Sequence, residues 1–246
     1  MCRFRFLIWI LALVCTAAMP DDRALEIHDR IASSAPADNR VALTLDACSG
    51  SFDEDLAMFL VRNRIPATIF ATKKWLDRNP SGVALLKAHL DLFDIEDHGE
   101  SHVPAVIGRG RRIYGIPDEP DILHLRREVV EGALAIEQAT GVPPHWYRGA
   151  TGIYDQQAAD EIRRLGYKIA GFSVNADAGA TLPMSVVIER LKNVKGGDII
   201  LAHMNKPASG TAEGLSVGLL ALLMRGLVFV RLDQVDVQEI PSRTKP

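Results

Sequence analysis

The 246-residue sequence predicts an α/β fold in which strands alternate with helices around a parallel sheet. Two observations support this prediction. Short apolar runs recur along the chain, and each is followed by a segment with helical periodicity. Roughly seven or eight such units fit into about 225 residues, which favours a (β/α) barrel, complete or incomplete, over an open sheet. Hydrophobic residues make up 48% of the chain, enough for one large, well-buried domain.

The N-terminus has the pattern of a secretory signal sequence. Arg3 and Arg5 precede an apolar run at 6–14, and small residues follow at 16–18. This run is too short to span a bilayer comfortably, although an uncleaved anchor stays an alternative. Lipidation at Cys15 ranks low because the preceding valine is bulky. We therefore expect a signal peptide at 1–19, a polar leader at 20–39 and one main domain at 40–246, in a protein exported to the periplasm or secreted.

The predicted strands are short runs of β-branched, leucine and aromatic residues. The first, VALTLD, is the pattern of a buried strand and ends at Asp46. The second, ATIFA, follows the break at Pro66, and the third delivers a pair of histidines at its downstream end. Strands are predicted at 41–46, 67–71 and 92–95, around 146–147, near Ile169 and near Phe172, and at 198–202 and 228–232.

Helices are predicted between these strands from periodicity and from end signals. Asp53 and Glu54 favour a helix start, whereas Gly141 and Pro143 end a helix. A Gly-, Pro- and Arg-rich stretch at 103–121 predicts a long irregular loop, and loops of this length are usually functional. Helices are predicted from residue 53, at 74–89 with a break at 80–82, and at 122–139, 156–165, 184–191 and 212–224.

Charge and cysteine content exclude two classes of protein. Lys and Arg total 28 against 31 Asp and Glu, and no basic stripe of the kind that binds nucleic acid is present. After removal of the leader, Cys48 is the only certain thiol, so no disulfide framework stabilises the domain. We expect no nucleic-acid partner and no stable membrane insertion after signal removal.

Five side chains at or near predicted strand ends indicate a hydrolytic metal centre. His98 and His102, in DIEDHGESH, have the spacing of a transition-metal half-site. Asp46, Arg148 and His203 also follow apolar strands, and the carboxyl ends of barrel strands meet at one face. A divalent metal polarises water and a carbonyl oxygen, a carboxylate takes a proton, and a histidine returns one to the leaving amine. Asp46 and His203 are candidates for these last two roles, and the remaining histidines have no motif around them.

These residues resemble the polysaccharide deacetylases of carbohydrate esterase family 4, which share the NodB homology domain. The resemblance covers about 40–232 and implies a distorted (β/α)7 barrel. Five segments carry it: residues 44–48 (TLDAC) resemble TFDDG, 98–102 (HGESH) resemble H(S/T)xxH, 148–152 (RGATG) resemble RxPxG, 173–179 (SVNADAG) weakly resemble the fourth motif, and 201–203 (LAH) match LxH.

The resemblance implies roles for individual residues. Asp46 falls on the catalytic base, His98 and His102 on metal ligands, and Arg148 on the arginine that braces the base. His203 lies in the LxH motif, and Asp177 is offered by the fourth motif. Structural alternatives without a role in catalysis stay open: Arg148 as a surface cation, Asp177 as a turn cap, and Cys48 as a small buried apolar residue.

One departure leaves the metal site incomplete, because Ala47 stands where the family has a ligand aspartate. Three sources for a third ligand are considered, since catalytic zinc normally has three protein ligands. Asp46 itself could ligate while Asp177 acts as base, or Asp97 or Glu100 could supply the oxygen. The Cys48 thiolate ranks last. In a continuing strand its side chain would point the same way as that of Asp46, and it would take another direction only if the strand had already ended.

The sequence therefore predicts a deacetylase that depends on a divalent metal ion, with zinc expected, and that releases acetyl groups, most simply N-acetyl, from peptidoglycan or a chitin-like glycan. Two alternatives remain: a non-catalytic glycan-binding relative, which the Ala47 departure makes credible, and a sibling amidohydrolase that acts on another non-peptide amide. The loop with Arg111, Arg112 and Tyr114 is expected to wall the groove, and its arginines suggest an anionic partner.

Overall fold

A computed structural model describes residues 24–32, 38–108 and 110–240. The predicted signal peptide and part of the polar leader lie outside these ranges. The α/β prediction is confirmed: seven parallel strands form a curled sheet in the order β10-β8-β5-β4-β3-β12-β11, and β13 pairs with β3. No pairing within the described ranges joins β10 to β11, so the barrel is curled but not closed. This is the distorted (β/α)7 architecture that the sequence predicts.

The strands agree with the predicted runs to within a few residues, and several short ones are added. They are β1 (Leu25–Glu26), β2 (His28–Ile31), β3 (Arg40–Ala47), β4 (Ala67–Ala71), β5 (Phe93–Asp97), β6 (Arg112–Ile113), β7 (Ile116–Pro117), β8 (Trp146–Tyr147), β9 (Ile153–Tyr154), β10 (Lys168–Ile169), β11 (Val174–Asn175), β12 (Ile199–His203), β13 (Val228–Val230) and β14 (Val237–Ile240).

The helices also follow the prediction, including the break near residue 80, where Pro80 starts a new helix. Side chains of Asp53, Thr72, Asp121 and Asp155 accept hydrogen bonds from the first turns of four of them, as N-caps do. The helices are α1 (Glu54–Arg62), α2 (Lys73–Arg78), α3 (Pro80–Ala88), α4 (Ile122–Thr140), α5 (Gln156–Arg164), α6 (Met184–Lys192) and α7 (Thr211–Met224). No helix in the described ranges is both long enough and apolar enough to cross a membrane.

Two details of the sequence prediction need correction. The strand predicted near Phe172 starts two residues later, as β11 at Val174, and Phe172 itself lies in no strand. The stretch 103–121 is not wholly irregular, since β6 and β7 form a small antiparallel hairpin with Tyr114 exposed at its turn. Two-residue strands are too short to show a periodic pattern.

The predicted polar leader contributes structure of its own. Strand β2 pairs antiparallel with β14 near the other end of the chain, and β1 pairs with β9. Ile27 and Ile31 are buried there. These strands pack against the barrel and do not behave as a separate tail.

Side-chain alternation along β3 decides which residues face the inside of the sheet. Val41, Leu43, Leu45 and Ala47 belong to the apolar core that also contains residues of the surrounding helices. Ala42 belongs instead to the smaller cluster that includes Phe70 of β4 and Leu201 of β12. Asp46 shares the face of Ala42, because residues two apart on a strand point the same way.

Candidate active site

The register of the sheet brings the carboxyl ends of four strands to one edge. Asp46 of β3 is directly opposite His203 of β12, and Asp97 of β5 is opposite Tyr147 of β8. His98 and Arg148 follow those last two strands by one residue. Residues separated by up to 157 positions therefore share one site, as expected for parallel strands in a barrel.

Arg148 is buried and holds Asp46 in place. Its guanidinium donates to Asp46 Oδ1 over 2.9 Å, to Thr44 Oγ1 over 2.9 Å and to the carbonyls of Ala170 and Gly171. It also lies over the Phe70 ring, 4.2 Å from the ring centre. At 1% exposure, Arg148 is not a surface cation. Burial is the largest single influence and would raise the pKa of Asp46, but the charges of Arg148, His98 and His203 together outweigh it and lower the pKa, so the carboxylate stays ionised.

His98 is oriented by a backbone hydrogen bond. Its Nδ1 lies 2.6 Å from the carbonyl oxygen of Arg148, and because a carbonyl only accepts, Nδ1 carries the proton. Nε2 therefore faces the site, where it is 3.7 Å from Asp46 Oδ2 and 3.5 Å from Cys48 Sγ. Burial lowers the pKa of His98, but the charge of Asp46 and contact with Cys48 raise it to about 9.

Glu128 of α4 fixes the loop between the two histidines. Its buried carboxylate accepts from the backbone N–H of Ser101 at 2.9 Å and of Val103 at 3.0 Å. A side chain at Gly99 would collide with it, since a Cβ there would lie 2.4 Å from Glu128 Oε1, and the φ of 88° also favours glycine. The glycine in HGESH, where the family motif has Ser or Thr, thus makes room for this carboxylate. His102 itself has a φ of 65°, and its ring meets that of His98 edge-on.

His203 is oriented by Asp177, which is fully buried just beyond β11. Asp177 Oδ1 accepts from His203 Nδ1 over 2.9 Å, while Oδ2 accepts from the backbone N–H of His203 and from the Thr211 hydroxyl. Burial would lower the pKa of His203, but the hydrogen bond to Asp177, contact with Cys48 and the charges of Asp177 and Asp46 together outweigh burial and raise the pKa well above its usual value. Asp177 is therefore more than a turn cap, since it holds His203 with Nε2 directed away from the carboxylate.

The donor atoms around His98 fit a divalent metal ion. The nearest ligand atoms of Cys48, His98 and His102 all lie within 4.8 Å of one another. A sulfur and two imidazole nitrogens are a donor set that suits zinc. The carboxylate of Asp46 lies beside this group, with Oδ2 3.7 Å from His98 Nε2. These residues can thus hold the divalent metal ion that the sequence predicts.

The structure changes the ranking of the third-ligand sources. Asp97 turns away, because its Oδ1 accepts from the backbone N–H of Gly99 and lies beside Gly132 of α4. Glu100 pairs with Arg127 at 3.2 Å on the surface. Cys48, ranked last from the sequence, brings its Sγ within 3.5 Å of His98 Nε2, because it lies two residues after Asp46 and points to the same side.

Glu128 and Thr211 are site residues that the sequence did not indicate. Both lie inside helices or at their first residue, far from any strand end, and no local pattern marks a buried acceptor for loop N–H groups. The i, i+2 relation between Asp46 and Cys48 was the signal that could have identified the thiol. Arg148 and His203 lie where the strand pattern predicts them, at the ends of β8 and β12, and Asp177, which the fourth motif offered, lies just beyond β11.

A family model described as polysaccharide deacetylase matches residues 33–170 of this chain, which include the first three motifs. No curated protein matches the chain.

Several solved structures have the same fold. A family 4 carbohydrate esterase pseudoenzyme from Bacillus anthracis aligns with a TM-score of 0.65 at 18% identity, over 82% of this chain and 66% of its own. A peptidoglycan N-acetylglucosamine deacetylase aligns with a TM-score of 0.67 at 17% identity, over 84% and 90%. PdaA of Bacillus subtilis, a family 4 carbohydrate esterase, aligns with a TM-score of 0.63 at 20% identity, over 80% of each chain. At these identities the structural likeness shows the fold alone.

Proposed function

Because this chain belongs to the polysaccharide deacetylase family, we propose that it is a metal-dependent hydrolase that releases acetyl groups, most simply from N-acetyl amides, from a glycan such as peptidoglycan or a chitooligosaccharide. The observation that carries the proposal is the convergence of an ionised carboxylate, three imidazoles and a thiol at one edge of the sheet. Relatives with this fold include a peptidoglycan N-acetylglucosamine deacetylase.

The residues divide the chemistry between two sides of the site. The bound divalent metal, for which zinc suits the donor set, would polarise water and the acetyl carbonyl. Asp46, kept ionised by Arg148, accepts the proton of the water. His203 donates a proton from Nε2 to the leaving nitrogen, because Asp177 keeps it protonated. His98 and His102 hold the metal, and Asp46 and Cys48 are the two candidates for its third ligand.

Acetate release tests this function. The purified chain, analysed for bound metal, would be incubated with chitooligosaccharides and with peptidoglycan fragments, and free acetate and new amines would be measured. We expect both products, and we expect Asp46→Asn and His203→Ala to abolish them while the protein stays folded. Acetate without a new amine would point to O-acetyl substrates, and no acetate from any acetylated sugar would favour a sibling amidohydrolase.

A second function has support from one observation. Ala47 replaces the ligand aspartate of the family motif, and a pseudoenzyme is among the chains with this fold. A chain that binds chitooligosaccharides or peptidoglycan but contains no divalent metal and releases no acetate would be a glycan-binding relative. Equilibrium dialysis of the glycan against chelator-treated and zinc-loaded protein distinguishes this relative from the deacetylase, because glycan binding by the non-catalytic relative would not change with zinc.

We also propose that the protein is exported, because residues 1–19 have the pattern of a signal peptide. N-terminal sequencing of the protein from the extracellular or periplasmic fraction tests this. A mature chain that begins near residue 20 is expected, whereas a lipid-modified Cys15 or an intact N-terminus would contradict it.

A further inference from the structure

The site has one ligand position that the family motif does not explain. Two histidines are in place, but Ala47 occupies the position where the family motif has the ligand aspartate. Ala47 belongs to the apolar core and is completely buried. The remaining carboxylate, Asp46, has one oxygen engaged by Arg148. If Asp46 also served as a metal ligand, its second oxygen would no longer be available as the base.

We propose that Cys48, as a thiolate, is the third protein ligand of the site formed with His98 and His102, and that Asp46 is thereby left free to act as the base. The ligand assignment stands on the geometry of this chain. The assignment of the base rests on the proposed function.

The distances support a thiolate ligand. Cys48 Sγ is 3.5 Å from His98 Nε2. Two ligands of a tetrahedral zinc ion with Zn–S of about 2.3 Å and Zn–N of about 2.0 to 2.1 Å are separated by about 3.6 Å. The pair thus already has the separation that a shared ion requires. His102 completes the group, with all three ligand atoms within 4.8 Å.

The backbone around Cys48 is built to fix the thiol. The Thr72 hydroxyl donates to the carbonyl of Cys48, Arg78 Nη1 donates to that of Ser49 over 2.6 Å, and Asn79 Nδ2 donates to that of Gly50 over 3.1 Å. A Cβ at Gly50 would lie 1.9 Å from the carbonyl oxygen of Asn205, so the turn can pass there only as glycine. A turn held at three consecutive carbonyls presents its side chain in one position, as a metal ligand must be presented.

The other candidate donors are excluded by their own contacts. Asp97 is directed at the backbone of Gly99, and Glu100 pairs with Arg127. A thiolate in place of a carboxylate changes metal preference toward thiophilic ions such as zinc and away from magnesium and manganese. The chain would thus bind zinc with a Cys-His-His set that differs from the carboxylate-His-His set implied by the family motif.

Cobalt substitution tests the ligand directly. The full chain carries three cysteines, so Cys2→Ser and Cys15→Ser serve as the matched background in which Cys48 is the only thiol. In this background, Co²⁺ is expected to give a sulfur-to-cobalt charge-transfer band in the near ultraviolet. Cys48→Ser should abolish the band and weaken zinc binding by at least about tenfold, measured by competition with a chromogenic chelator. Asp46→Asn should keep the band and the zinc stoichiometry.

The outcomes separate this inference from the proposed function. Absence of the charge-transfer band in the Cys48-containing protein would overturn the inference, and so would loss of metal in Asp46→Asn. The band is measured in the protein that keeps Cys48, so this test does not depend on Cys48→Ser being folded. The band without acetate release would support the thiolate ligand and contradict the deacetylase proposal. Acetate release without the band would support the deacetylase proposal and contradict the thiolate ligand.

Discussion

The buried pair between Arg148 and Asp46 should show strong energetic coupling in a double-mutant cycle. Arg148 is 1% exposed and makes four hydrogen bonds, one of them to the Asp46 carboxylate. Arg148→Met removes the guanidinium that donates to Asp46 and leaves a buried carboxylate with His98, 3.7 Å away, as its remaining ion-pair partner. Breaking a buried pair from one side costs about 3 to 5 kcal/mol. The loss is a large part of the stability of a domain, which is typically about 5 to 15 kcal/mol.

The second side of the cycle costs less. Asp46→Asn keeps an acceptor for the guanidinium but removes its counter-charge, and a hydrogen bond to a charged group is worth about 1.5 to 3 kcal/mol. In the double variant neither charge is stranded, so we expect a loss no greater than that of Arg148→Met alone. The coupling free energy should therefore be about 2 kcal/mol or more.

Urea unfolding followed by tryptophan fluorescence and circular dichroism measures all four corners of the cycle. Arg163→Met is the matched control, because this arginine is 46% exposed and lies 3.6 Å from Asp160 in a surface pair. Its loss should cost less than about 1 kcal/mol. Single-variant losses that add to within about 0.5 kcal/mol, or an Arg148→Met loss as small as that of the control, would refute the assignment of a buried, mutually dependent pair.

Three further predictions use other contacts of the site and core. Asp177→Asn removes the charge that raises the pKa of His203, so the basic limb of the rate profile should move to lower pH, and the rate of acetate release should fall at least about tenfold; an unmoved basic limb would contradict this. Glu128→Ala leaves buried loop N–H groups without an acceptor and should lower zinc affinity by about 10- to 100-fold in dialysis, whereas Glu128→Gln, which keeps one acceptor oxygen, should stay near wild type. Burial, and then the charge of Asp94, raises the pKa of Glu96 from 4.5 to about 9. The pKa of Glu96 is higher in the folded protein than in the unfolded chain, so the contribution of Glu96 to stability is complete below a pH of about 4. That contribution is lost as the pH rises to about 9, at up to about 1.4 kcal/mol per pH unit. Glu96→Gln should flatten this dependence of stability on pH in urea titrations, and an equal slope in both proteins would contradict the prediction.

The motif departures have different structural consequences. Gly99 replaces a hydroxyl residue because Glu128 fills the space beside it and accepts the loop N–H groups. Ala47 removes a carboxylate, and Cys48, one residue later, brings a thiol to the side of the strand that faces the site. The first departure changes how the histidine loop is held, while the second changes the chemistry of the metal donors.

The positions of the strands, and with them the residues that emerge at their ends, were predictable from the sequence. Apolar runs and helical periodicity are local properties, so Asp46, His98, Arg148 and His203 could be assigned to one edge before any coordinates were known. The two-residue strands and the pairing of β2 with β14 could not be predicted, because so short a segment acquires its structure from its neighbours.

What the sequence by itself determined is the order of strands and helices and the kinds of side chain that reach the carboxyl edge of the sheet. Only the tertiary structure decided which of those side chains meet: that Cys48 approaches His98 while Asp97 turns away, and that Asp177 reaches His203. The physical reason is that secondary structure depends on residues a few positions apart. Contacts between residues 26 or 50 positions apart depend instead on strand order, register and the direction of each side chain, which the whole packed sheet sets at once.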